Sequence, residues 1–93
     1  MLSEIPKDLS NVSKEDIDKE IARVGMIAEL DAINLYEQLA ALTQNKTLKS
    51  VLLDIAKEEK THMGEFEAVL LSKDKEQVKE TQAGAKEVKE LSE

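Results

Sequence analysis

Thr43-Gln44-Asn45-Lys46-Thr47 divides the chain, being the one polar, cap-rich interruption between two segments whose apolar residues recur at helical spacing. Upstream, Ser13-Lys14-Glu15-Asp16 resembles a capping box with Asp in place of Glu, which predicts a helix from there to about residue 42 or 43. Downstream, a second helix is expected over roughly 47–71. A short link between two long helices makes them antiparallel neighbours. Ser72 is expected to cap a third, weaker helix over 73–91, where Val78, Val88 and Leu91 are the large apolar side chains and Gly84 should interrupt. The reading is therefore all-α: an irregular segment over 1–12, a helical hairpin over 13–72, and a short helix or tail over 73–93.

Composition supports helices over sheets and narrows the function classes. Three glycines, one proline and two aromatic residues, Tyr36 and Phe66, are too few for a sheet protein with frequent turns. The absence of cysteine removes disulfides, thiolate zinc sites and cysteine nucleophiles together. A formal charge of -7 repels phosphate backbones and anionic membranes, which argues against a nucleic-acid role and favours cations as ligands. No apolar run approaches the roughly 20 residues of a membrane span, and the first ten residues lack the pattern of a signal peptide, so a cytosolic chain is expected. At 93 residues the core is small, and a second copy of the chain is a natural way to enlarge it.

Advancing about 100° per residue places Ile17, Ile21, Val24, Ala28, Ala32, Ile33, Leu35, Tyr36, Leu39 and Leu42 on one apolar arc of the first helix. Glu29 lies inside that arc. In the second helix the arc holds Leu48, Val51, Leu52, Ile55, Ala56, Met63, Phe66, Val69 and Leu70, with Glu59 near its centre and His62 on the same side. A carboxylate carried onto a packing face costs several kcal/mol unless something neutralises it, and Lys57 and Lys60 point elsewhere. For an antiparallel hairpin turning near residue 45, Glu29 is level with both members of Glu59-Lys60-Thr61-His62. Oxygen and imidazole ligands at this spacing are what a bundle core uses to hold iron or manganese, whose charge removes the cost of burying the carboxylates.

A dinuclear carboxylate site in a four-helix bundle needs a Glu from each of two helices and a Glu-x-x-His from each of the other two. This chain has half of that, so a homodimer about a twofold axis would complete both the ligand set and the bundle. Tyr36 falls near Glu29 in angle, two turns on; its phenol is read as a hydrogen-bond donor to a ligating carboxylate, a redox-active neighbour or a packing residue. Glu58, Glu65 and Asp31 border the apolar faces as a solvated rim or an acidic approach path for cations.

Ala28-Glu29-Leu30-Asp31-Ala32-Ile33-Asn34-Leu35-Tyr36-Glu37-Gln38, followed by Glu58-Glu59-Lys60-Thr61-His62, resembles the encapsulated ferritins, two-helix ferritin-like proteins that oxidise iron inside encapsulin shells. The resemblance covers about residues 14–72. It implies a ferroxidase that oxidises Fe(II) to Fe(III) with O2 at a dinuclear iron site between two subunits. Glu29, Glu59 and His62 are then the iron ligands and Tyr36 the tyrosine beside them. It further implies ring-shaped oligomers of dimers, such as a decamer, partnered by an encapsulin shell protein in a cytoplasmic nanocompartment that stores the iron. Of the family's acidic pair at an auxiliary outer metal site, Asp31 is present, while Ala28 occupies the other position. Residues 73–93 would serve as a linker to a shell protein, or precede a targeting segment. The alternative class is a non-enzymatic helical assembly module with a structural metal or none.

Overall fold

The computed structural model describes residue 10 and residues 12–93, so the irregular segment expected over 1–12 lies almost wholly outside the described residues. Three helices follow: α1 (Ile17–Leu42), α2 (Lys46–Lys73) and α3 (Lys75–Leu91). Among the described residues there is no strand. The fold is an antiparallel two-helix hairpin with a short C-terminal helix, as the polar interruption at residues 43–47 predicts.

The hairpin turn is built from local hydrogen bonds. Thr43 adopts an extended backbone that ends α1 while its N–H still donates to the Leu39 carbonyl at 3.2 Å. Its Oγ1 accepts from the Asn45 N–H at 3.1 Å, and Asn45 Oδ1 accepts from the Leu48 N–H at 2.8 Å, capping α2. Thr43, Gln44 and Asn45 alone connect the helices.

The start of α1 differs from expectation. Ser13 Oγ donates to Asp16 Oδ2 at 3.1 Å, and the Asp16 N–H donates to the Ser13 carbonyl at 3.1 Å, so residues 13–16 form a turn ahead of the helix. A reciprocal box needs the length of Glu, and Asp is one methylene too short to reach back. The Lys19 ammonium and the Ser13 hydroxyl hold the Asp16 carboxyl below its ordinary value.

A second correction concerns α3. Ser72 remains within α2 and donates to the Val69 carbonyl at 2.6 Å, whereas Asp74 is the cap, its Oδ1 accepting from the Gln77 N–H at 2.9 Å. Asp74 Oδ2 also accepts from Arg23 Nη2 at 3.0 Å, and Arg23 Nη1 donates to Glu20 Oε1 at 2.9 Å. One carboxylate thus caps α3 and ties it to α1. Nor does Gly84 interrupt α3: its cost of about 1 kcal/mol relative to Ala is spread over a helix rich in Glu, Lys, Gln and Ala. Asp74→Ala is expected to lower hydrogen-exchange protection in the first turn of α3 about fivefold or more, in line with about 1 kcal/mol for a lost cap. Asp74→Asn, which can still cap but loses the charge opposite Arg23, should retain most of that protection; equal loss in both would assign the effect to the ion pair.

The core seam consists of Ala22, Ile33 and Ala40 on α1 against Leu52, Ala56 and Leu70 on α2. Three alanines in this seam let the helices approach closely. Much of each apolar arc nevertheless remains uncovered: Ile21, Leu39 and Leu42 on α1 and Leu48, Val51 and Val69 on α2 are exposed. A two-helix layer covers one flank of each arc and leaves the adjacent flank open. The molecule measures 47 × 43 × 20 Å, and its second dimension exceeds the roughly 20 Å that two packed helices occupy, because α3 extends away from the hairpin with Val88 and Leu91 exposed.

Candidate metal centre

The short turn and the 3.6-residue period bring Glu29 of α1 together with Glu59 and His62 of α2. One ligand atom from each lies within 4.8 Å of the others. His62 Nδ1 is 3.7 Å from Glu29 Oε2 and 3.6 Å from Glu59 Oε2. Ligand atoms sharing one first-row ion with bonds of about 2.1 Å stand about 3 to 4 Å apart, so these separations suit a bound cation.

None of the three is fully buried: the Glu29 and Glu59 side chains are 17% and 21% exposed, and that of His62 is 46% exposed. At about 100° per residue Glu29 shares the face of Ala22 and Ala40, and Glu59 that of Leu52 and Leu70, while His62 stands about 80° round α2 toward the open flank. Glu29 Oε2 itself has almost no solvent contact and no hydrogen-bond partner. A shielded carboxylate oxygen without a donor costs about 1 to 3 kcal/mol or more, and a cation held with Glu59 and His62 removes that cost. The donor set, two hard carboxylates and one imidazole, fits an iron-like divalent ion.

An open cleft of about 380 Å³ adjoins two of the three ligands and is lined by Glu29, His62, Glu65, Phe66 and Val69. Asp31 is half-buried on α1 and lies outside the three-residue group. Tyr36, also half-buried, occupies the flank of α1 that carries Glu29. Lys60 is engaged by Glu37, its Nζ donating to Oε2 at 2.9 Å, a surface pairing that leaves the carboxylates of the centre without an ammonium partner among the described residues. Sequence reasoning missed that pair, the Arg23–Asp74 tie, and the contact between Gly25 and Phe66. Ring atoms of Phe66 lie 2.7 Å from where a Cβ on Gly25 would stand. The sequence signal for it was a glycine inside a long helix, on the flank that bears Glu29.

Comparison with known proteins agrees in sequence and in fold. The family model described as EncFtn-like matches residues 4–71. A ferritin-like-encapsulin shell fusion protein of Pyrococcus furiosus is 54% identical over 80 residues, which cover 86% of this chain and 23% of that protein; the chain thus spans about a quarter of that relative's length. The crystal structure of an encapsulated ferritin domain from Pyrococcus furiosus superposes with a TM-score of 0.83 at 47% identity, covering 98% of this chain and 95% of that one. No described helix is long and apolar enough to cross a membrane.

Proposed function

The chain belongs to the EncFtn-like family, and from that premise we propose that it is a ferroxidase whose substrate, Fe(II), is bound by Glu29, Glu59 and His62. One observation carries the reading: the shielded Glu29 Oε2, without a hydrogen-bond partner, faces a second carboxylate and an imidazole beside an open, largely apolar cleft. Three ligands from one chain cover one side of an ion. A second copy related by a twofold axis would bring its own three to the same place, cover the exposed apolar residues of both hairpins, and make the centre dinuclear.

Fe(II) is the substrate: each ion gives up one electron, and the two ions of a dimer's centre together would reduce one O2, with two protons, to H2O2. The residues supply the rest. Glu29 and Glu59 offset the ionic charge, and the two hard oxygens favour Fe(III) more than Fe(II), which draws the reaction forward. His62, whose Nδ1 faces Glu29 and Glu59, would offer that nitrogen's lone pair to the ion held between them, with the ring proton on Nε2, and so fix its direction of approach. Tyr36, two turns along α1 from Glu29, would orient a ligating carboxylate once the dimer brings one within reach of its phenol. A two-helix layer has no room for mineral, so Fe(III) passes to a separate compartment. By analogy with the shell fusion relative, that compartment would be an encapsulin shell; a cytoplasmic location and a ring of dimers are what the resemblance to the encapsulated ferritins adds.

Anaerobic Fe(II) titration followed by air, with size-exclusion chromatography at each stage, tests the reading. The expected result is about one iron per chain, a shift from monomer toward dimer or larger on binding, and rapid oxidation on exposure to air. Assembly without iron and no oxidation above background would assign the same faces to a purely structural module.

A further inference from the structure

Of the three glycines, Gly64 and Gly84 have open space where a side chain would begin, whereas at Gly25 the Phe66 ring already occupies it. Gly25 has an ordinary negative φ within α1, so backbone freedom does not call for glycine there. Space does. Cδ1 and Cε1 of Phe66 would lie 2.7 Å, and Cγ 2.8 Å, from a Cβ on Gly25, where carbon atoms normally keep about 3.5 to 4.0 Å.

The position of this contact gives it consequence. Gly25 precedes Glu29 by one helical turn, and Phe66 follows His62 by one turn, so in an antiparallel pair the two contacts are consecutive rungs. The ring pressed onto bare backbone at one rung sets how closely α1 and α2 approach at the next. Phe66 also lines the cleft that Glu29 and His62 share.

We propose that Gly25 and Phe66 form a spacer that fixes the width of the metal centre, making Gly25 a positioning residue for the Glu29–His62 pair. The proposal rests on the metal-binding reading above. A Cβ at position 25 forces a displacement of roughly 1 Å to restore normal carbon contacts. Either the helices separate and carry Glu29 Oε2 beyond its 3.7 Å distance from His62 Nδ1, or the ring tips into the cleft and crowds the imidazole. Both outcomes spoil the convergence of the three ligands. Glycine is otherwise a poor choice in a helix interior, which makes the close approach the reason for its presence.

Co(II) is the probe, because its visible bands report the ligand field and it binds without turnover. Titration of the 93-residue chain should give a Co(II) spectrum that Gly25→Ala shifts, with affinity lowered about tenfold or more, the scale seen when groups that orient metal ligands are altered. Gly64→Ala, on the same hairpin with free space around it, should leave both unchanged. Gly25→Ala/Phe66→Leu, which replaces the ring with a smaller side chain, should return the affinity to within about threefold of the original. If Gly25→Ala fails to fold, this double variant decides alone. Wild-type affinity and spectrum in Gly25→Ala, or no recovery in a double variant of native helicity, would overturn the spacer. Absence of Co(II) binding to the unsubstituted chain would instead overturn the metal centre itself.

Discussion

Glu29→Ala is expected to reduce iron oxidation to the uncatalysed background while leaving the metal-free helices as stable as before or more so. The two effects have one origin. Glu29 Oε2 is shielded and unpartnered, so its charge is a burden on the metal-free chain and an asset once a cation is present. Removing it relieves a desolvation cost on the order of 1 kcal/mol and places a strong helix former at a mid-helix position. It also deletes the one ligand contributed by α1, leaving Glu59 and His62 on a single helix with nothing to close the site. Circular dichroism melts without metal, compared with absorbance of Fe(III) formation, test both halves. A variant that unfolds without metal would show Glu29 to be a structural partner.

Replacing His62 by Asn separates binding from oxidation. The amide keeps an oxygen that can reach a cation but lacks the imidazole nitrogen, and both carboxylates remain. Divalent binding should weaken yet persist, with iron oxidation slowed at least about tenfold, because a ligand that fixes the geometry of approach is gone. Stopped-flow absorbance at constant pH reads this directly. Oxidation at the unsubstituted rate would remove His62 from the centre and with it the dinuclear scheme.

The hairpin was legible because the polar interruption at residues 43–47 is short, which leaves few registers for two long helices. The same shortness made the convergence of Glu29, Glu59 and His62 readable, since each lies on an apolar arc and the turn sets their height. The division of those arcs was not legible. Periodicity marks a face as apolar without saying which part its own hairpin covers, so Ile21, Leu39 and Val51, expected in the core, are exposed, while Ala22 and Ala40 are buried. Small residues form the seam because they permit close approach, and hydrophobicity alone ranks them low. The Arg23–Asp74 tie escaped for a related reason: Arg23 reads as solvent-facing on a wheel of α1, and its partner becomes visible only when α3 is placed. The Gly25–Phe66 contact depends on the distance between helices, which no pattern along one chain encodes.

The three-residue connection from Thr43 to Asn45 also governs time. Closing so small a loop costs little entropy, and a helical hairpin is dominated by contacts that form in order outward from the turn. Chains of this kind fold in microseconds to milliseconds, far faster than two dilute chains meet. Each newly made molecule therefore presents its ligands before it finds a partner. Under the proposed dimer, the rate at which whole centres appear is second order in chain concentration, and tethering many copies in one place accelerates it without changing any contact.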